Sequence, residues 1–206
     1  MKAHFVAILL LTQAITAWAQ TKITFNNDTR HLVYFSLSSA YLAPGDSALA
    51  GTLYSGASLG SGESLAVDLY MGTSSSSLNL AATTVFSSLG LSPWLWVTKE
   101  VVPAVPASTP YYFQVQVRDV LDNTAEDSMN AGHYFGYSTV FSGTPTITQY
   151  RLTDFWPAGT QDLSAFGSGY RGAIELKVVP EPATLSLAVF ALLVARAKST
   201  FTIVGG

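Results

Sequence analysis

From Thr21 onward the chain is a succession of short β-branched and aromatic runs broken by Gly, Ser, Asn, Asp and Pro. That spacing leaves room for strands and turns and almost none for a long helix. The clearest run alternates strictly: Tyr111, Phe113, Val115 and Val117 face one way, and Tyr112, Gln114, Gln116 and Arg118 the other. Such a period of two describes a strand with one buried and one wet face. The same reading predicts strands at Lys22 to Phe25, Leu32 to Leu37, Ala48 to Tyr54, Leu65 to Met71, Thr83 to Ser87, Leu95 to Val101, Tyr111 to Val120, Tyr137 to Phe141 and Ala173 to Val178. A single helical turn is expected at Ser128 to His133, where no long amphipathic pattern precedes or follows it. The serine run Ser74 to Ser77 and the prolines Pro103, Pro106 and Pro110 read as connections inside one unit. The expected fold is therefore all-β, a single antiparallel β-sandwich of jelly-roll type, because no βαβ alternation is present.

Both ends of the chain depart from this pattern. Lys2 and His4 precede an apolar stretch from Phe5 to Leu11, and Ala17-Trp18-Ala19 places small residues at the positions a signal peptidase reads. Residues 1–19 are thus expected to be a signal helix removed after Ala19, leaving a domain at residues 20–178. In the final segment, residues 179–206, Pro180 and Pro182 flank Glu181, which fixes φ, removes two backbone donors and keeps the chain extended. An apolar helix is expected over residues 183–195, followed by basic residues at 196–198 that include Arg196 and Lys198. At 1.5 Å per residue that helix is roughly 20 Å long, short of the ~30 Å hydrocarbon core, so it would span only with its basic end snorkelling to the cytoplasmic face.

Composition bounds the rest. The chain has 206 residues, enough for one domain between these ends, with 49% hydrophobic, 12% aromatic and only 11% charged residues. Cysteine is absent, so stability has to come from burial rather than from a disulfide framework. With Met1 to Ala19 and the tail from Pro182 removed, Lys2, Arg196 and Lys198 are lost from the 10 basic residues, leaving 7 against 13 acidic ones, a formal charge of −6. With no Lys/Arg cluster in the body, nucleic acid is not an expected partner.

Motifs for chemistry are few. Gly56-Ala57-Ser58-Leu59-Gly60 matches the nucleophile-elbow pattern literally, and Asp119 and His133 follow in Ser, Asp, His order. An elbow needs a strand before it and a helix after it, whereas Ser61 to Ser64 leads into a strand, so a hairpin loop is expected and a secreted hydrolase is the lesser alternative. Asp154 and Asp162 are a second carboxylate pair whose separation the sequence does not set. Once the signal segment is removed only His31 and His133 remain; His31 is read as capping or starting a strand, and two histidines make a zinc site only with carboxylates arranged around them. Asp119, Asp122, Asn123, Glu126 and Asp127 form an oxygen-rich loop of the kind calcium favours, without the EF-hand spacing, so a solvated turn is expected and no cofactor is required. Trp94 and Trp96 share a strand face by period two, and an exposed indole pair there would be a platform for sugar rings, the basis of an alternative reading as a carbohydrate-binding module.

The Pro180-Glu181-Pro182 triplet, the short apolar segment and the basic stop resemble the PEP-CTERM sorting signal of exported Gram-negative proteins. The middle of the chain, roughly residues 47–145, also resembles a group of exported PEP-CTERM proteins. The likeness runs through Asp68-Leu69-Tyr70-Met71-Gly72, Val101-Val102-Pro103, Gln114 to Asp119, Ala131 to Ser138 and Val140-Phe141. The resemblance implies a non-enzymatic exported protein of the cell envelope, surface or extracellular matrix. It further implies an exosortase-like processing enzyme as partner, contact with the membrane through the C-terminal segment, and association with extracellular polysaccharide. It transfers no catalytic residue.

Overall fold

The computed structural model describes residues 21–56, 59–87, 94–103, 108–145, 149–157, 161–162 and 171–179. The expected signal segment with Ala17 and Ala19, the expected sorting residues Pro180, Glu181, Pro182 and Arg196, and the apolar run 183–195 lie outside these residues. Among the described residues no helix is long and apolar enough to cross a membrane.

The chain runs through β1 (Lys22–Phe25), β2 (Leu32–Phe35), β3 (Leu65–Ser74), β4 (Ser77–Val85), β5 (Lys99–Val101), β6 (Tyr111–Asp119), α1 (Ala125–Ala131), β7 (Gly136–Tyr137), β8 (Phe141–Gly143), β9 (Gln149–Arg151), β10 (Gln161–Asp162) and β11 (Arg171–Leu176). The result is mostly β-sheet with one short α-helix. The largest sheet has the order β4-β3-β6-β7, with β8 also paired to β6; two three-stranded sheets have the orders β5-β1-β9 and β10-β11-β2. β6 holds the large sheet together: β3 covers one edge along its length, while β7 and β8 share the other, pairing at Gln116–Val117 and Tyr111–Phe113. Its alternation holds from Tyr111 to Val117, with the odd positions buried and the even ones half-buried.

The expected all-antiparallel pairing does not hold. β1 pairs parallel with β9, and β2 parallel with β11. In both cases the partner arrives after most of the chain has been laid down, over a connection far longer than a hairpin, which is the condition parallel neighbours need. Boundaries also move. Only Leu53 of the expected Ala48 to Tyr54 strand makes a bridge, to Tyr34, because Ser47–Leu49 is a 3-10 turn and Gly51 follows it at φ +71°. Of Leu95 to Val101 only β5 is a strand, with Trp96 bridged to Phe86 ahead of it. The Tyr137 to Phe141 strand is split at Ser138, which is buried and whose Oγ accepts from the Val115 N–H at 2.9 Å in place of a ladder bond. β4 begins at Ser77, earlier than expected, because the serine run is the tight turn of the β3–β4 hairpin, with Ser74 opposite Ser77.

One apolar core takes residues from all three sheets: Ile23 and Phe25 from β1, Val33 and Phe35 from β2, Val67 and Leu69 from β3, Phe113 and Val115 from β6, Ile174 and Leu176 from β11. A chain of rings runs through it. Tyr54 meets Phe86, Phe86 meets Trp96, Trp96 stacks on Trp156 at 6.1 Å, Trp156 on Phe141 at 5.8 Å, and Phe141 on Phe113 at 5.6 Å. Rings of this size each remove a large apolar area from water, and with no cysteine available they do the work a disulfide does elsewhere.

Candidate functional site

The helix α1 positions a polar cluster at the end of β6. Thr124 caps its start, accepting the Asp127 N–H at 3.0 Å, and Glu126 and Asp127 lie in the first turn, where carboxylates complement the helix dipole. Gly132 ends it in the left-handed region at φ +77°, so that His133 emerges directly beside the loop that follows β6. The Asp122 carboxylate stands between two donors: its Oδ2 accepts the Ser128 hydroxyl at 2.7 Å and faces His133 Nδ1 at 2.9 Å. Ser128 in turn accepts the Asp119 N–H at 3.0 Å, which ties the helix to the end of β6. One ligand-capable atom of each of Asp119, Asp122 and His133 lies within 4.8 Å of the others.

A surface groove of about 450 Å³ opens over this cluster, lined by Ser61, Glu63, Asp119, Leu121 and His133 among others. Glu63 closes one side, with Oε2 accepting the Tyr134 N–H at 2.9 Å. Burial pushes the Glu63 carboxyl above its ordinary value, against the pull of the Tyr134 N–H and the nearby His133. Its hydrogen bond to Asp122 raises the pKa of His133. Asp122 shows the reverse: burial pushes it up, but the bonds from Ser128 and His133 outweigh that and hold it below the usual carboxylate range.

Arg118 shapes this loop from beneath. Its Nε donates to Asp68 Oδ2 at 2.6 Å, and its Nη1 donates to the carbonyls of Asp119 and Asp122. Asp68 is fully buried on β3 and also accepts the Thr83 hydroxyl at 2.6 Å, so strand pairing places all three groups on one sheet face.

The other expected sites fare differently. Of the calcium loop, Asp119 and Asp122 converge, whereas Asn123, Glu126 and Asp127 are exposed and stand outside the cluster, the last two being held in the first turn of α1. Ser58 lies outside the described residues; Asp119 and His133 are close, as a triad would need. Ser128, the hydroxyl that does join the cluster, bonds to the carboxylate rather than to the imidazole and is fully buried, so its Oγ is not placed as a nucleophile activated by His133. Asp154 accepts the Arg151 N–H within a 3-10 turn, and the Asp162 side chain is outside the described set.

The indole platform does not form. Trp96 is only 3% exposed, packed on Phe25, Phe86 and Trp156, while Trp94 is half-buried. The cause is Asn27: its buried amide donates to the Trp94 carbonyl at 3.1 Å and accepts the Trp96 N–H at 3.1 Å, which turns Trp96 into the core. His31 stands directly before β2, as expected, and its ring also bridges Asp28 Oδ1 and the Trp156 carbonyl, each at 2.7 Å, and packs on the Trp156 indole. Neither Glu63 nor Ser128 belonged to a site motif: Glu63 lay in the Ser61 to Ser64 lead-in to a strand, and Ser128 began the expected turn Ser128 to His133.

No protein-family model matches the chain, and no curated protein or solved structure matches it either.

Proposed function

We propose that this chain is a non-enzymatic exported protein of the bacterial cell envelope or extracellular matrix, its body a β-sandwich and its C-terminal segment a PEP-CTERM-like sorting signal. The observation that carries this reading is the junction between body and tail. β11 is followed by Lys177, bridged to Phe135, and by Val178, which is buried and donates its N–H to the Tyr41 carbonyl at 2.8 Å. Val179 is exposed, and Pro180-Glu181-Pro182 comes next. The body is tethered as far as Val178 and the chain leaves it at the exposed Val179, so a processing enzyme that reads the residues after Val179 needs no unfolding of the body. The single core shared by three sheets supports the sandwich, and the lack of cysteine with a large aromatic core is compatible with life outside the cell. An exosortase-like enzyme is the proposed partner, with transient membrane contact through residues 183–198, then release to the surface or matrix.

Mass spectrometry of the protein recovered from the envelope of its own bacterium tests this. An N-terminus at Gln20 and a C-terminus near Pro182 support it; an intact chain from Met1 to Gly206 overturns it. Glu181→Ala is expected to leave the uncleaved form in the membrane fraction.

A further inference from the structure

We propose that Asp119, Asp122 and His133 bind one divalent cation of the zinc class in the groove beside α1. Three features of the cluster lead there. The first is the donor set, an imidazole nitrogen with two carboxylates, their ligand atoms already within 4.8 Å of one another. Ligands about 2.1 Å from a tetrahedral metal stand about 3.4 Å apart, so closure asks for a contraction of the order of an ångström and no rebuilding of the fold.

The second is Asp119 itself. This residue is 1% exposed, yet only its Oδ1 is satisfied, by the Leu121 N–H at 2.7 Å. Its other carboxylate oxygen has no hydrogen bond among the described residues, although the side chain lines the groove. That oxygen opens onto the groove instead of being sealed in the core, so an entering cation meets a free acceptor on a carboxylate whose position is otherwise fixed.

The third is the charge balance. Glu63, Asp119 and Asp122 gather around His133, and the neighbouring cation, Arg118, gives its guanidinium to the Asp68 carboxylate and to the carbonyls of Asp119 and Asp122 instead of to their carboxylates. The imidazole decides the metal. Calcium and magnesium take oxygen ligands, whereas zinc and its neighbours accept nitrogen and oxygen together. The fourth position falls to water or to the Glu63 carboxylate. Bound there, the ion clips the loop after β6 to the residue that follows α1 and closes the chain segment between them. This site stands independently of the sorting signal.

The test uses the full processed protein, stripped with EDTA and titrated calorimetrically with zinc chloride. One equivalent of zinc binding at micromolar or lower concentration, unaffected by millimolar calcium, is expected. His133→Gln and Asp122→Asn should each weaken it at least tenfold, and the exposed Glu126→Gln and Asp127→Asn should leave it unchanged. His133 is partly exposed, so His133→Gln folds and decides the matter even if Asp122→Asn does not, with circular dichroism of the metal-free variant as the check. Absence of zinc binding, binding of equal strength in His133→Gln, or displacement by calcium would overturn the proposal.

Discussion

Two buried polar residues bear much of the specificity of this fold. Asp68 is fully buried with Arg118 and Thr83 as its partners, and removing one member of a buried ion pair leaves the other charge without compensation. Asp68→Ala is expected to destabilise by about 3–5 kcal/mol in urea unfolding, and the double variant Asp68→Leu/Arg118→Met by less than that single change. His31 joins the β1–β2 turn to Trp156, and His31→Ala strands a buried carbonyl; a loss of about 1–3 kcal/mol is expected. Asp28, beside it, adds a pH dependence. Burial raises the Asp28 carboxyl, but the Arg30 N–H and the His31 ring prevail and hold it below 3.8. A carboxyl lowered on folding stabilises the protein above its unfolded value, and that contribution disappears as pH falls through the folded one. Asp28→Asn should therefore be less stable than wild type at neutral pH, with the gap closing below about pH 4. The gap is small, since the carboxyl is 45% exposed.

Among the elements, α1 is a short helix that depends on its ends. It has seven residues, too few to persist on propensity alone, so Thr124, Gly132 and the Ser128 link to β6 maintain it. Thr124→Ala is expected to cost about 1 kcal/mol through the lost cap, and Gly132→Ala a similar amount, since no atom stands within 4 Å of an added Cβ and the strain is in the φ of +77° alone. Thermal unfolding of both variants checks this, and amide exchange should show the loss concentrated at Asp119 to His133. β4 differs in kind. Its Val85 end is covered by the Val97 N–H, and Thr84 donates to the Val97 carbonyl, so the chain just before β5 closes part of this edge of the large sheet.

At the scale of the whole molecule, one core joins three sheets through stacked Trp96, Trp156, Phe141 and Phe113. Unfolding is accordingly expected as a single transition, with tryptophan fluorescence and far-UV dichroism coincident, and Trp156→Ala is expected to remove about 3–5 kcal/mol. Separate transitions by the two probes would show that the sheets unfold as independent units. Local pattern was enough for β1, β3 and β6, because alternation and β-branching act within a strand, and Lys22 to Phe25 needed no correction. The β-rich class followed from the same short runs and the lack of helical period. What a one-dimensional pattern does not contain is which strand meets which. The parallel partners β9 and β11 are over a hundred positions from β1 and β2, and only the closing of the core selects them. The cluster follows the same logic. Asp119 and His133 were visible as residue types, but whether carboxylates surround the imidazole depended on a capped helix returning the chain to the end of β6. Trp94 and Trp96 looked alike by period two until the Asn27 amide, distant in sequence, drew one of them inside. Sequence by itself determined the strand-forming stretches, the low charge and the Pro-Glu-Pro tail, since these rest on local stereochemistry and composition. Tertiary structure alone decided the sheet order, the burial of Trp96 and the gathering of Asp119, Asp122 and His133, because burial and electrostatics act between residues that only folding makes neighbours.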